Sequence, residues 1–114
     1  MREIETSMAE PILLVLCSIP DSDTLAREIA GALLEQKLAA CVHCLPTGLS
    51  IYVWKGEREE QRERILLIKT EAERYAALEQ TLLALHPYAV PEILAFRADA
   101  ALGAYARWLG DALH

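Results

Sequence analysis

The string KLAACVHCLPTG, residues 37–48, carries the residues whose types and spacing most suggest chemistry: Cys41 and Cys44 as a C-x-x-C pair, with His43 between them. Two thiolates and an imidazole can hold a soft or borderline metal ion, and two thiols at this spacing can cycle through a disulfide. Either use needs the sulfur atoms on the same side of the backbone. The element that carries them therefore decides the matter.

Residues 1–10 are polar and without period, and read as a disordered tail ahead of a single domain at 11–114. PILLVLC, residues 11–17, is a short apolar run ended by SIPDSD, the pattern of a strand buried on both faces. Asp21, Ser22 and Asp23 supply capping oxygens and negative charge for a helix that runs to about Gln36, with Leu25, Ile29, Ala32 and Leu33 on one face. AACVHCL at 39–45 is a second strand, broken at Pro46–Gly48 and resumed through LSIYVW. There Tyr52 and Trp54 alternate with Ile51 and Val53. KGE at 55–57 signals a turn, the charged REEQRER reads as a solvated hairpin end, and ILLIKT is a third strand. Thr70 and Glu73 have capping-box spacing for a helix bearing Tyr75, Leu78, Leu82 and Leu85, which stops before Pro87. PEILAF is a fourth strand, and Asp99 is placed to cap a last helix bearing Leu102, Tyr105, Leu109 and Ala112.

The order β-α-β-β-α-β plus a helix predicts an α+β fold: a ferredoxin-like βαββαβ two-layer sandwich with an additional C-terminal helix. On a strand, Cys41 and His43 share one face and Cys44 lies on the other. The two thiols then cannot chelate one ion or pair with each other. One cysteine is expected in the core and the other on a sheet surface or against a neighbour.

Composition narrows the function. The net charge of −6, with no Lys/Arg-rich run, speaks against nucleic acid. No apolar run reaches the roughly 18–20 residues of a membrane span. Three cysteines and a start without the features of a signal peptide make the cytoplasm the expected location. The 54% apolar share exceeds what so small a domain needs internally, which suggests that another subunit covers part of it. No Ser-His-Asp arrangement is discernible, His43 and His114 have no evident partners, and His114 is expected to fray. The chain reads as a non-enzyme.

VLCSIPD, EQKLAACV, IYVWKGE, LIKT and HPYAVPEI stand in one order across residues 11–112. Together they resemble the CutA family of divalent-cation tolerance proteins. The resemblance implies a homotrimer with ligand sites in the clefts between subunits, and a metal-response role involving copper or another divalent cation. It marks Cys17 and His86 as metal candidates, with Leu85 standing where family members carry another histidine. It also implies that Tyr52, Trp54, Lys69, Tyr88 and Glu92 face the inter-subunit cleft, a lining suited to a hydrated metal or a small anionic ligand. The same residues can serve plain structural ends. Cys17 can be a small buried apolar residue, His86 can bond the last carbonyls of its helix, and the cleft set can be interface packing. A small-molecule sensor built like the PII trimers is the alternative by analogy of fold, although no Gly-rich phosphate cradle is present, and a purely structural trimer is a further one.

Overall fold

The computed structural model describes residues 10–114. The expected tail lies outside the described residues except for Glu10, whose carboxylate accepts from the Glu73 N–H at 3.1 Å. The elements in chain order are β1 (Ile12–Pro20), α1 (Asp23–Glu35), β2 (Cys41–Cys44), β3 (Gly48–Trp54), β4 (Glu57–Glu71), a 3-10 turn (Ala72–Arg74), α2 (Tyr75–Leu85), β5 (Ile93–Arg97) and α3 (Gly103–Leu113). The expected βαββαβ succession with an added helix is therefore present, its second strand divided into β2 and β3.

All the pairings are antiparallel, in the order β2-β4-β1-β5, with β3 also on β4. The strand β4 is the spine. Its second half pairs with β1 from Pro20↔Glu63 to Ile12↔Glu71, and with β2 from Cys44↔Leu66 to Cys41↔Lys69. Its first half pairs only with β3, so the two form a ribbon that extends past the rest of the sheet. The molecule is accordingly elongated, 53 × 26 × 24 Å. Lys55 and Gly56 make the hairpin tip at φ 53° and 80°. Two residues with positive φ match the right-handed twist of the strands they join.

Alternation along β1 sets the core. Leu13, Val15, Cys17 and Ile19 face Ile29 and Leu33 of α1 and Leu78 and Leu82 of α2, together with Leu66 and Ile68 of β4. Helices α1 and α2 thus cover one face of the sheet. The opposite face carries Leu16, Leu67 and Leu94 in register, with Phe96 beside Leu14. No helix of that core lies over it, and Leu94 and Phe96 are about half exposed.

Several local expectations need correction. The strand β1 does not end at Cys17 but runs through Ser18-Ile19-Pro20, because β4 is long enough to pair with it there. REEQRER is not a lead-in to the third strand but part of it. Thr70 caps nothing: it is the buried penultimate residue of β4 and donates to the Leu38 carbonyl at 2.7 Å. The Glu73 amide that a capping box would have satisfied is met by Glu10 instead. Asp99 caps nothing either, since α3 starts after Leu102 without a side-chain cap. That helix buries Leu109 and Leu113 and leaves Leu102, Tyr105 and Trp108 outward, a stripe displaced from the expected one. At the start of α1 the expectation holds, with Ser22 Oγ accepting from the Leu25 N–H at 3.0 Å.

Candidate cation-binding cleft

The C-x-x-C pair separates as strand alternation requires. Val42 and Cys44 pack against the core, while His43 points outward on the face it shares with Cys41. All three cysteines are free thiols. Cys44 Sγ lies 3.9 Å from an Arg64 guanidinium nitrogen. That guanidinium also holds Asp21 at 2.8 Å and Asp23 at 2.6 Å, fastening β4 to the start of α1. The Arg64 hydrogen bond, followed by that from Thr47, lowers the Asp21 carboxyl below its ordinary range.

Cys17 and His86 lie on either side of Ser18. Cys17 is fully buried. Burial first, then the charges of Glu92 and Glu63, push its thiol up to about 12, so it is no thiolate at neutral pH. His86 is buried too, and does not bond its own helix with its ring. Its Nε2 donates to the Ser18 carbonyl at 2.6 Å and its Nδ1 accepts from the Tyr88 N–H at 3.2 Å. With Nδ1 accepting, the ring proton sits on Nε2, and neither nitrogen offers a free lone pair. The ring pins the 86–88 bend to β1.

Next to this point opens a cleft of about 470 Å³. One wall is the inner face of the β3–β4 ribbon, where the register sets Tyr52 opposite Glu59 and Ser50 opposite Gln61. Tyr52, Trp54 and Tyr88 supply its aromatic surface and Glu59, Glu63 and Glu92 its charge, with Ser18 and Gln61 between them. Of the expected cleft residues, the structure brings together Tyr52, Trp54, Tyr88 and Glu92. Lys69 is not among them within one chain. It lies on the same sheet face beside Leu14 and Cys41, roughly 20 Å further along β4 than Glu63.

The polar groups of the cleft are ordered by one another. Tyr88 Oη donates to Glu63 at 2.7 Å, Tyr52 Oη donates to Gln61 at 2.8 Å, and Ser18 Oγ donates to Glu92. Burial, then the hydrogen bond to Glu63 and its charge, raise the Tyr88 phenol well above its ordinary value, so it stays a donor. Glu63 and Glu92 both line the cleft, Glu63 held by Tyr88 and Glu92 by Ser18, and the charges of both raise the buried Cys17 thiol. Among the described residues no Lys or Arg lines the cleft. The cleft is a place for positive charge.

Glu59, Gln61 and Glu63 line the cleft although the sequence read them as solvated hairpin charges. The Lys55–Gly56 turn held the signal. A two-residue turn fixes Trp54↔Glu57, and counting back by twos puts 59, 61 and 63 on the Tyr52 face.

One further group stands apart. Among the described residues, Glu71, Glu73 and His114 bring three potential ligand atoms within 4.8 Å of one another. His114 does not fray. Its Nε2 lies 3.0 Å from Glu71 and 3.3 Å from Glu73, and an Arg74 guanidinium nitrogen lies 3.0 Å from its Nδ1. Since guanidinium only donates, Nδ1 accepts and Nε2 carries the proton toward the carboxylates. The cluster is a closed hydrogen-bond set tying α3 to the end of β4.

Comparison with known proteins agrees with this architecture. The family model described as CutA1 divalent ion tolerance protein matches residues 13–112. The divalent-cation tolerance protein CutA of Thermus thermophilus is 45% identical over 97 residues, covering 85% of this chain and 93% of that protein. The protein CutA homolog of Xenopus laevis is 42% identical over 90 residues, 79% of this chain and 60% of the frog protein's own length. The crystal structure of CutA from Xylella fastidiosa superposes with a TM-score of 0.86 at 37% identity, covering 90% of this chain and 98% of that one.

Proposed function

The chain belongs to the CutA1 divalent ion tolerance family, and on that premise we propose that it is a non-enzymatic, cytoplasmic homotrimer that binds a divalent cation at the Glu63–Glu92 end of the cleft. The observation that carries this reading is a pair of carboxylates, Glu92 bonded by Ser18 and Glu63 bonded by Tyr88, in a cleft that no cationic side chain of the described residues lines. Their donors are oxygens, with the Ser18 and Tyr88 hydroxyls beside them. Oxygen donors suit hard and borderline divalent ions, copper(II) among them, better than they suit copper(I). Cys17 and His86 then act from behind. The thiol packs under the site, and the ring holds the bend that positions Tyr88.

The trimer in this proposal is supported by the uncovered apolar face at Leu16, Leu67, Leu94 and Phe96 and by the two-stranded ribbon with its open edges. Such edges and faces need covering in a soluble protein. The cleft's volume favours, as a second reading, a small-molecule sensor.

Calorimetric titration with magnesium, manganese, zinc and copper(II) tests the ion site. One ion per subunit is expected, with affinity falling about tenfold or more in Glu63→Gln and Glu92→Gln and little changed in Cys17→Ser. Loss in Cys17→Ser with Glu92→Gln unaffected would move the site to the Cys17–His86 side. No binding of any of the four ions would end the cation reading.

A further inference from the structure

The cleft is larger and more aromatic than an ion requires. A divalent ion holds its oxygen ligands at about 2.0–2.6 Å, so it can use carboxylates only where they converge. Glu59 does not converge with Glu63. Both lie on the inner face of β4, four residues apart, and the strand separates their backbones by roughly 13 Å. Between them Gln61 is engaged by the Tyr52 hydroxyl, while Tyr52 and Trp54 form the wall alongside. A second carboxylate thus stands further out along the cleft, and Glu59, Glu63 and Glu92 do not form one three-ligand cluster among the described residues.

We propose that this cleft binds an extended aliphatic di- or polyamine, with one ammonium group at Glu63 and Glu92, another at Glu59, and the methylene chain along Tyr52 and Trp54. The inference rests on the same cleft as the ion reading but needs no metal. Each part of the ligand class answers a feature of the site. Two separated negative centres call for two separated positive charges. The aromatic wall offers apolar contact to methylenes and ring faces to ammonium groups. Among the described residues no Lys or Arg lines the cleft, so its lining offers the two ammonium groups no like charge. The volume of about 470 Å³ falls in the range of small-molecule clefts. The protein's net charge of −6 draws polycations toward it over distances longer than these contacts.

The test is calorimetric titration of the full chain in its native assembly with spermidine, with 1,8-diaminooctane, and with 1,8-octanediol, which keeps the length but removes the charge. A parallel zinc titration is run on the same samples. Both amines are expected to bind and the diol not to, with amine affinity falling as salt rises. Glu59→Gln and Trp54→Leu, both at exposed positions of the ribbon, are expected to weaken spermidine about fivefold. Amine binding that ignores Glu59→Gln overturns the two-ended mode, and equal binding of the diol overturns charge recognition. Zinc binding with no amine binding overturns this proposal and leaves the ion reading intact. Failure of both ligands removes both.

Discussion

His86 and Cys17 lie beside the cleft with the His86 ring bonded on both nitrogens and the Cys17 thiol fully buried. His86→Leu removes the partner of the Ser18 carbonyl and of the Tyr88 N–H, both inside the structure. Leaving those groups unpaired costs about 1–3 kcal/mol each at worst, so a drop of a few kcal/mol is expected in urea unfolding, with Tyr88 displaced from Glu63 as a consequence. An unchanged midpoint would show that the ring is not the tether described. For Cys17 the folded thiol keeps its proton up to about 12, against an ordinary value of 9.0. The folded state therefore binds more protons than the unfolded one between those values. Stability is intact below about 9 and declines as pH rises toward 12. Cys17→Ala should flatten that alkaline decline, and in the parent a disulfide reagent should modify Cys41 and Cys44 well before Cys17. At this scale the sequence marked several of the residues that line the cleft. Alternation put Tyr52 and Trp54 on one face of their strand, and the resemblance pointed to these two and to Tyr88 and Glu92 as cleft residues. The bond from His86 to Ser18 was hidden because it joins positions far apart in the chain, with no local pattern to mark it.

Among the elements, α1 shows both a legible and an illegible end. Its start is written in Ser22 and Asp23. Its end is a Schellman turn, with the Leu38 N–H on the Leu33 carbonyl at 2.9 Å and the Lys37 N–H on Leu34 at 3.1 Å. Lys37 stands at the position usually given to glycine, at φ 56°. A residue with a Cβ is strained there by about 1 kcal/mol. Lys37→Gly should therefore raise the urea midpoint by about that free energy with an unchanged slope, and a lower midpoint would mean that the lysine side chain contributes more than its backbone costs. The capping box at Thr70 misled for a related reason. The motif is a local preference, and the long antiparallel partner β1 holds residue 70 in the sheet, where its hydroxyl finds the Leu38 carbonyl. The displaced stripe of α3 has the same origin. Spacing gives a helix its period, but which side is buried depends on what the rest of the chain offers, here the end of β4.

Among the described residues the sheet is covered by α1 and α2 on one face, meets α3 at the end of β4, and carries a long ribbon. If three copies cover the remaining surfaces, Phe96→Asp, placed on the open face, should shift light-scattering mass from trimer toward monomer while leaving the chain folded, since Phe96 is half exposed and outside the core. A parent protein that is monomeric at micromolar concentration would remove the trimer from the proposal. The succession of elements and their count were readable in the sequence because periodicity and turn residues are local. The reach of β4 was not, because a run of charged residues looks solvated until its partners are known. That reach also bears on how the molecule comes into being. The strand β4 meets β3 across a two-residue turn, a closure completed in about 1–10 microseconds. It meets β1 only after most of the intervening chain has been drawn together, a far slower search. The ribbon's register would thus be set early, and β1 would later dock onto a strand whose side chains already alternate in their final sense. The wall of the cleft would be among the earliest parts of the protein to form, and the bend that carries Tyr88 and Glu92 among the last.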